Sequence, residues 1–409
     1  MQTPLASPRI ITVDVLRGFA LFGILLAHMI FWYSAGPLPG DLFNKYKDIG
    51  SQVMPVINDI FISGKFFAFF SFLFGLSFYL QMQRMEKRND TFVLRYAWRI
   101  TLLGLIGMVH HAFWRGDILS IYAPLGFLLL PMRKWNNRVI IVLGILFALN
   151  VPGKLIEVVK FLSTAAPTPP PPVNGPPPDF EAVGKAYFTL MQQPYWWPLF
   201  KANLLNFPDK FKFQLDSGRI FVTFGFFLLG MYTGRKNWFE NPDSSRPVFT
   251  KILRTCGWLG LGCLLAGLSL IAANTFLKLG WEQKPVMGFI FSIFYDTLSA
   301  SLVCFYVSGI SLLLYRPRWQ KRLYPLASVG KMALSCYLTQ TLLGLGLYYG
   351  VGLGLVGQTT PWLNWLIALA FFVVQVILCK WWLKNFRYGP FEWFWRSATF
   401  FQWYPLKRK

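Results

Sequence analysis

Histidine, lysine and aspartate inside long apolar runs are the residues of this sequence that could do chemistry. His28 follows Arg17 by eleven residues, and His110 follows Arg99 by eleven, each pair within one apolar stretch. In a helix that separation is roughly 16 Å. With both arginines near one membrane boundary, His28, His110 and His111 reach a common depth, near or just beyond mid-membrane. Lys65 and Asp296, measured from the outer ends of their own runs, fall in the same slab. Ionisable groups in hydrocarbon are costly and point to function by default. An imidazole, with an ordinary pKa of about 6.5, can take a proton from an attacking alcohol or amine. Lys65 could steady a developing oxyanion, and Asp296 could orient a histidine or pair with Lys65. The same groups also suit a proton relay in a transporter, or a buried salt bridge with histidines tied to neighbouring helices. Spacing alone leaves these three readings open.

Other constellations carry less. Asp14 and Arg17 share a helical face. They read as a local ion pair at the membrane edge, or as part of an anion site in which Arg17, Arg95 and Arg99 bind phosphates from the cytoplasm. Glu392 and Arg396, one turn apart, read as an interfacial helix pair. Adjacent His110 and His111 project about 100° apart on a helix, so no metal site is expected. Gly352, Gly354 and Gly357 match a dinucleotide-binding pattern, but no strand–turn–helix unit surrounds them. Gly346, Gly350 and Gly354 suit close helix packing instead. The five cysteines lie in or beside apolar runs without a C-x-x-C pair, and read as buried small hydrophobes.

These side chains must be carried by membrane helices. Of 409 residues, 55% are hydrophobic and only 14% charged, with a mean hydropathy of +0.43. A soluble chain of this length needs a far more polar surface. Ten apolar runs are long enough to span a bilayer: 10–33, 56–81, 94–113, 117–132, 138–160, 217–234, 254–278, 286–314, 325–350 and 361–383. Spanning segments must satisfy their own backbone, so the runs predict helices. The expected fold is an all-α polytopic membrane protein. It has a bundle of five helices over 1–151, an exterior loop over 152–216, and a second five-helix bundle with a tail over 217–409. Arginine and lysine concentrate in alternate loops (82–99, 133–138, 235–254, 315–324 and the tail), which places those loops and both termini in the cytoplasm. Topology thus accounts for most of the +23 net charge, and nucleic-acid binding is not expected. Residues 1–9 are too short for a cleaved signal, so the first run reads as a retained helix. In the exterior loop, the proline run from Pro167 to Pro178 predicts extended polyproline II. The aromatic stretch after it reads either as a lid on the outer face or as a tether with an apolar anchor.

The residues also resemble a family. Val13-Asp14-Val15-Leu16-Arg17-Gly18-Phe19-Ala20, Gly64-Lys65-Phe66-Phe67, His111 with Gly116-Asp117-Ile118-Leu119, Gly330-Lys331-Met332-Ala333 and Tyr388-Gly389-Pro390-Phe391-Glu392 occur in the order seen in the YeiB family. These are bacterial inner-membrane proteins carrying the domain of unknown function 418. That family is grouped by resemblance with transmembrane acyltransferases, among them the lysosomal enzyme that acetylates heparan glucosamine and the acyltransferase-3 group. The resemblance implies a cytoplasmic acyl-CoA donor and an exterior saccharide, lipid or small-molecule acceptor. In the acyltransferase-3 group the first helix carries an arginine, ten residues and a catalytic histidine. Arg17 and His28 match that spacing, so by resemblance Arg17 binds the donor and His28 acts as base. His28 stands where YeiB-like sequences more often carry asparagine. The expected activity is therefore acyl transfer from acyl-CoA to an exterior hydroxyl or amine. His28 or His111 serves as base, Lys65 and Asp296 assist, and Arg17, Arg95 and Arg99 hold the donor. The alternatives are a proton-coupled transporter of a small amphipathic compound and a membrane scaffold.

Overall fold

The computed structural model describes residues 10–86, 92–163, 178–281 and 284–408. The proline run up to residue 177, together with Lys87 and Arg88 of the first basic loop, lies outside them. Within them the chain is helical: α1 (Ile11–Met29), α2 (Asp41–Asn44), α3 (Ile49–Phe61), α4 (Phe66–Glu86), α5 (Phe92–Phe113), α6 (Leu119–Met132), α7 (Asn137–Ala148), α8 (Val151–Ser163), α9 (Pro178–Gln192), α10 (Trp196–Leu205), α11 (Phe207–Asp216), α12 (Arg219–Arg235), α13 (Pro242–Leu277), α14 (Pro285–Leu313), α15 (Pro317–Leu323), α16 (Leu326–Lys331), α17 (Ala333–Tyr348), α18 (Pro361–Asn385) and α19 (Pro390–Phe400). An isolated bridge between Phe386 and Lys407 closes the tail.

Among the described residues, six helical segments are long and apolar enough to cross a bilayer: α1, α3 with α4, α5, α13, α14 and α18. A seventh arises if α7 and α8, bent by 53°, count together. This is fewer than the ten expected, for local reasons. Helix α6 starts only at Leu119 because Asp117 caps it, accepting from the Leu119 and Ser120 N–H groups. Asn150, with φ +55, bends the chain between α7 and α8. A turn at Met332 divides α16 from α17. Helix α12 has 17 residues and α17 has 16, each short of a full span.

Several helix pairs meet backbone to backbone, α4 with α12 and α1 with α16 among them. A Cβ on Gly75 of α4 would collide with the Phe227 carbonyl of α12, and one on Gly230 with the Phe72 carbonyl. A Cβ on Gly18 of α1 would collide with the Leu326 carbonyl, and one on Gly330 with the Asp14 carbonyl. Small residues allow this approach where lipid supplies no hydrophobic drive. Of the expected stripe of Gly346, Gly350 and Gly354, only Gly350 behaves so, abutting the Gln192 carbonyl at the end of α9. Gly346 faces open space, and Gly354, at φ +68, lies in the turn after α17. One hydrophobic core joins the helices before and after segment 152–216, with Phe74 stacked on Phe227 at 4.5 Å.

The beginnings of α1, α5 and α17 and the helix α19 meet at one end. Trp395 Nε1 donates to the Arg99 carbonyl, and Gly330 abuts Asp14. Both described chain ends are therefore at this end, which also carries Arg17, Arg95, Arg99, Lys331 and Arg396 and is called the basic end below. At the opposite end α10 docks on α5, with Leu199 and Asn203 buried and Trp196 and Trp197 exposed.

Candidate functional site

At the basic end a cavity of about 240 Å³ opens between α1, α4, α5, α6, α17 and α19. Its polar lining is Arg17, Ser77, Gln81, Tyr96, Arg99, Lys331 and the carboxylate of Glu392; going away from that end the lining becomes Leu73, Phe74, Leu103, Tyr122 and Tyr337. Arg17 donates to Asp14 Oδ1 at 3.0 Å, the expected local ion pair, and to Ser77 Oγ at 2.6 Å. The Arg99 guanidinium lies 3.7 Å from the centre of the Trp395 ring. Two expectations are corrected here. Arg95 does not line this cavity; its guanidinium stacks 5.1 Å from Phe400. Glu392 does not pair with Arg396. It accepts from Leu334 N, Ser335 N and Ser335 Oγ, capping the N-terminus of α17, while Arg396 sits among the Tyr388, Phe400 and Tyr404 rings.

Beyond the apolar end of the cavity stands a buried polar cluster. His110 Nδ1 meets Asp117 Oδ1 at 2.7 Å, and its Nε2 meets Thr341 Oγ1 at 3.0 Å. Asp117 is 2% exposed and also faces Lys210 Nζ at 3.7 Å. Lys210 donates to Ser120 Oγ at 2.9 Å and to His111 Nδ1 at 3.2 Å. His111 Nε2 donates to the Asn203 carbonyl at 2.8 Å, which fixes the tautomer: Nε2 carries the proton and Nδ1 accepts. Both nitrogens of His111 are therefore occupied. Tyr337, on the cavity wall, has its ring 5.1 Å from His110.

His28 differs from the other two. Its ring meets Trp114 edge-on at 4.8 Å and lies 5.3 Å from Tyr33, while His110 lies on Trp114 at 5.7 Å. It is partly exposed, and among the described residues its ring nitrogens hold no protein hydrogen bond. Arg17, Ile24 and His28 occupy one helical stripe, and the first two line the cavity.

Lys65 and Asp296 form a second group, away from the imidazoles. The chain breaks helix over Ile62–Lys65, with Gly64 at φ +77. The fully buried Lys65 ammonium donates to the Asp59 carbonyl, one of the orphan acceptors at the end of α3, and lies 4.2 Å from the Tyr295 ring. Asp296 pairs with Lys154 at 3.0 Å and accepts from Asn150 Nδ2 at 3.1 Å. The expected direct Asp296–histidine or Asp296–Lys65 pair is thus replaced by Lys154. Sequence reasoning missed Asp117, Lys210, Lys154 and Asn150. Asp117 has one signal, a residue before Ile118-Leu119-Ser120 suited to capping. Lys210, in a polar stretch of the exterior segment, has none. Among the described residues, no group of histidines, cysteines and carboxylates could hold a metal ion.

Burial pulls the Lys210 ammonium from its ordinary 10.5 down to about 8, against the attraction of Asp117. The unfolded chain binds the proton more tightly, so stability rises as pH climbs from about 8 to about 10.5. Hydrogen exchange of α10 and α11 across that range should show tighter docking with rising pH. The trend should vanish in Lys210→Met, and equal slopes in both proteins would contradict this assignment.

Comparison with known proteins follows the same pattern of segments. Residues 233–402 match the family model described as "Protein of unknown function (DUF418)". The chain is 28% identical to "Uncharacterized protein YxaH" of Bacillus subtilis, over 100% of this chain and 98% of the relative. It is 26% identical to "Uncharacterized protein YeiB" of Escherichia coli, over 96% of each. An uncharacterized 39.9 kDa protein of Bacillus acidopullulyticus matches at 27%, over 98% of this chain and 96% of the relative. The family stretch contains Asp296, Lys331, Glu392 and Trp395, whereas the three histidines precede it.

Proposed function

We propose an activity for a chain whose residues 233–402 match the DUF418 family model and which resembles YxaH and YeiB along its length: transfer of an acyl group from cytoplasmic acyl-CoA to a hydroxyl or amine acceptor at the exterior face of the bacterial inner membrane. The observation that carries it is the cavity, cationic at one end and apolar toward Tyr337 and the histidines. In this reading the ten runs cross the membrane and the basic end faces the cytoplasm, as the loop charges require. Arg17, Arg99 and Lys331 hold the phosphates of CoA, and Arg95 adds to the field at the mouth. The acyl chain extends along Leu73, Phe74 and Leu103. His28, the imidazole with free nitrogens, takes the proton as the acceptor oxygen or nitrogen bonds to the thioester carbon. The carbon–sulfur bond breaks, and the thiolate recovers that proton as free CoA.

Binding is the first test. Purified protein should bind acetyl-CoA, and Arg99→Gln should weaken it by about tenfold to a hundredfold, the worth of a charged hydrogen bond. Absence of acyl-CoA binding would overturn the reading. The break at Ile62–Lys65 favours a second one, since interrupted helices with capped ends form substrate sites in transporters. Proton-dependent uptake of a small amphipathic compound into vesicles, without acyl-CoA binding, would select it.

A further inference from the structure

Arg219 has no use in the chemistry above, and its surroundings are unusual for a guanidinium. Gly218, at φ +70, turns the chain out of α11 and sets Arg219 as the first residue of α12. The guanidinium carbon lies 4.4 Å from the centre of the Phe67 ring and 5.8 Å from that of Phe213. Its Nε is sealed from solvent and has no hydrogen-bond partner. Among the described residues no carboxylate pairs with it. The acids nearby are already engaged: Asp296 with Lys154 and Asn150, and Glu157 with Lys154 at 3.7 Å. Asp59 lies by Lys65 and accepts weakly from Tyr295 Oη at 3.4 Å. The side chain as a whole is only partly exposed, which leaves part of its donor fork accessible.

A buried cation without a counter-charge is expensive, and ring contacts satisfy none of its N–H donors. Nor is Arg219 alone in lacking partners. Its charge reaches the His28 ring, whose nitrogens hold no protein hydrogen bond among the described residues. Phenols of Tyr122 and Tyr295 are also within its electrostatic range. We propose that Arg219 is the anchor of an oxyanion site: its fork takes a carboxylate or phosphate group of a ligand whose body lies toward His28. Guanidinium matches both groups bidentately, and the flanking rings of Phe67 and Phe213 strengthen the contact by excluding water. The further step, that this ligand is the acyl acceptor, rests on the acyl-transfer reading; the oxyanion site itself does not.

The test is an anion titration of the purified full-length chain in two arms. One uses methyl phosphate with protein in phosphatidylcholine nanodiscs. The other compares nanodiscs with and without phosphatidylglycerol. Thermal stabilisation should be saturable in one arm: the first identifies a soluble ligand, the second a lipid headgroup. Arg219→Gln should shift the midpoint at least tenfold, and Arg219→Lys, which keeps charge but loses the fork, by less. Wild type and Arg219→Gln titrating alike in both arms, or no anion stabilising wild type, would overturn the proposal. Should Arg219→Gln fail to fold, Arg219→Lys decides, and affinity equal to wild type counts against the site. Acetyl-CoA binding on the same samples separates the readings. Its absence in wild type removes acyl transfer but leaves the oxyanion site standing, and it should persist in Arg219→Gln.

Discussion

Replacing Asp117 by alanine is expected to destabilise the protein by about 3–5 kcal/mol, the cost of removing one partner from a buried charged network. The carboxylate accepts from His110 Nδ1 and from the Leu119 and Ser120 N–H groups, and faces Lys210. Alanine leaves Lys210, at 8% exposure, without its counter-charge and α6 without its cap. Residues from α5, α6, α11 and α17 meet here, so the loss should reach beyond one helix. Asp117→Asn keeps one acceptor oxygen for the cap and should cost less. Thermal or SDS-induced unfolding of the purified protein measures both. A change for Asp117→Ala within the ±0.5 kcal/mol usual for surface sites would mean that the cluster does not hold the opposite end together.

The second large effect concerns rate. On the acyl-transfer reading proposed above, His28→Ala should lower transfer by about 10²–10⁴-fold, the usual contribution of a positioned general base, while acetyl-CoA binding is unchanged. The reason is a difference among the three imidazoles. His111 spends both nitrogens on Asn203 and Lys210, and His110 spends its own on Asp117 and Thr341. Only the His28 ring, among the described residues, has nitrogens without a protein partner. His111→Ala should therefore lower stability and His28→Ala should lower turnover. Transfer at the wild-type rate in His28→Ala would move the base elsewhere.

What was legible in the sequence divides along physical lines. Apolar runs and basic loops are local signals, and they located the helices, the shared depth of the histidines and the pairing of Arg17 with Asp14. The clustering of loop arginines also anticipated the basic end, where Arg17 and Arg99 line one cavity. Partners across helices are not local. Lys154 for Asp296, Lys210 for Asp117 and Glu392 for the end of α17 each join positions more than fifty residues apart, and nothing in periodicity selects among candidates. The positions of Arg95 and Arg99 are set the same way: four residues apart on one helix they share a face, yet only the placement of α19 decides which guanidinium meets Trp395 and which meets Phe400. Helix boundaries departed from the apolar runs where short polar residues, Asp117 and Asn150, stop or bend a helix that hydropathy would continue.

The interruption at Ile62–Lys65 has a mechanical consequence. Below it, α4 is locked to α12 at Gly75 and Gly230, where the two backbones touch. Above it, α3 rests on α18 instead. The hydrogen-bond ladder between the two halves is thinned there to Ile62, which bonds back to the Asn58 carbonyl and accepts from the Lys65 and Phe66 N–H groups, so a force that tilts α3 with α18 reaches the α4–α12 pair through one irregular turn. Any relative displacement of those bodies must be absorbed at Gly64, whose left-handed backbone lacks a Cβ to resist rotation. Lys65, joined through its ammonium to one half and through its main chain to the other, is then the fastener that such a displacement would have to release.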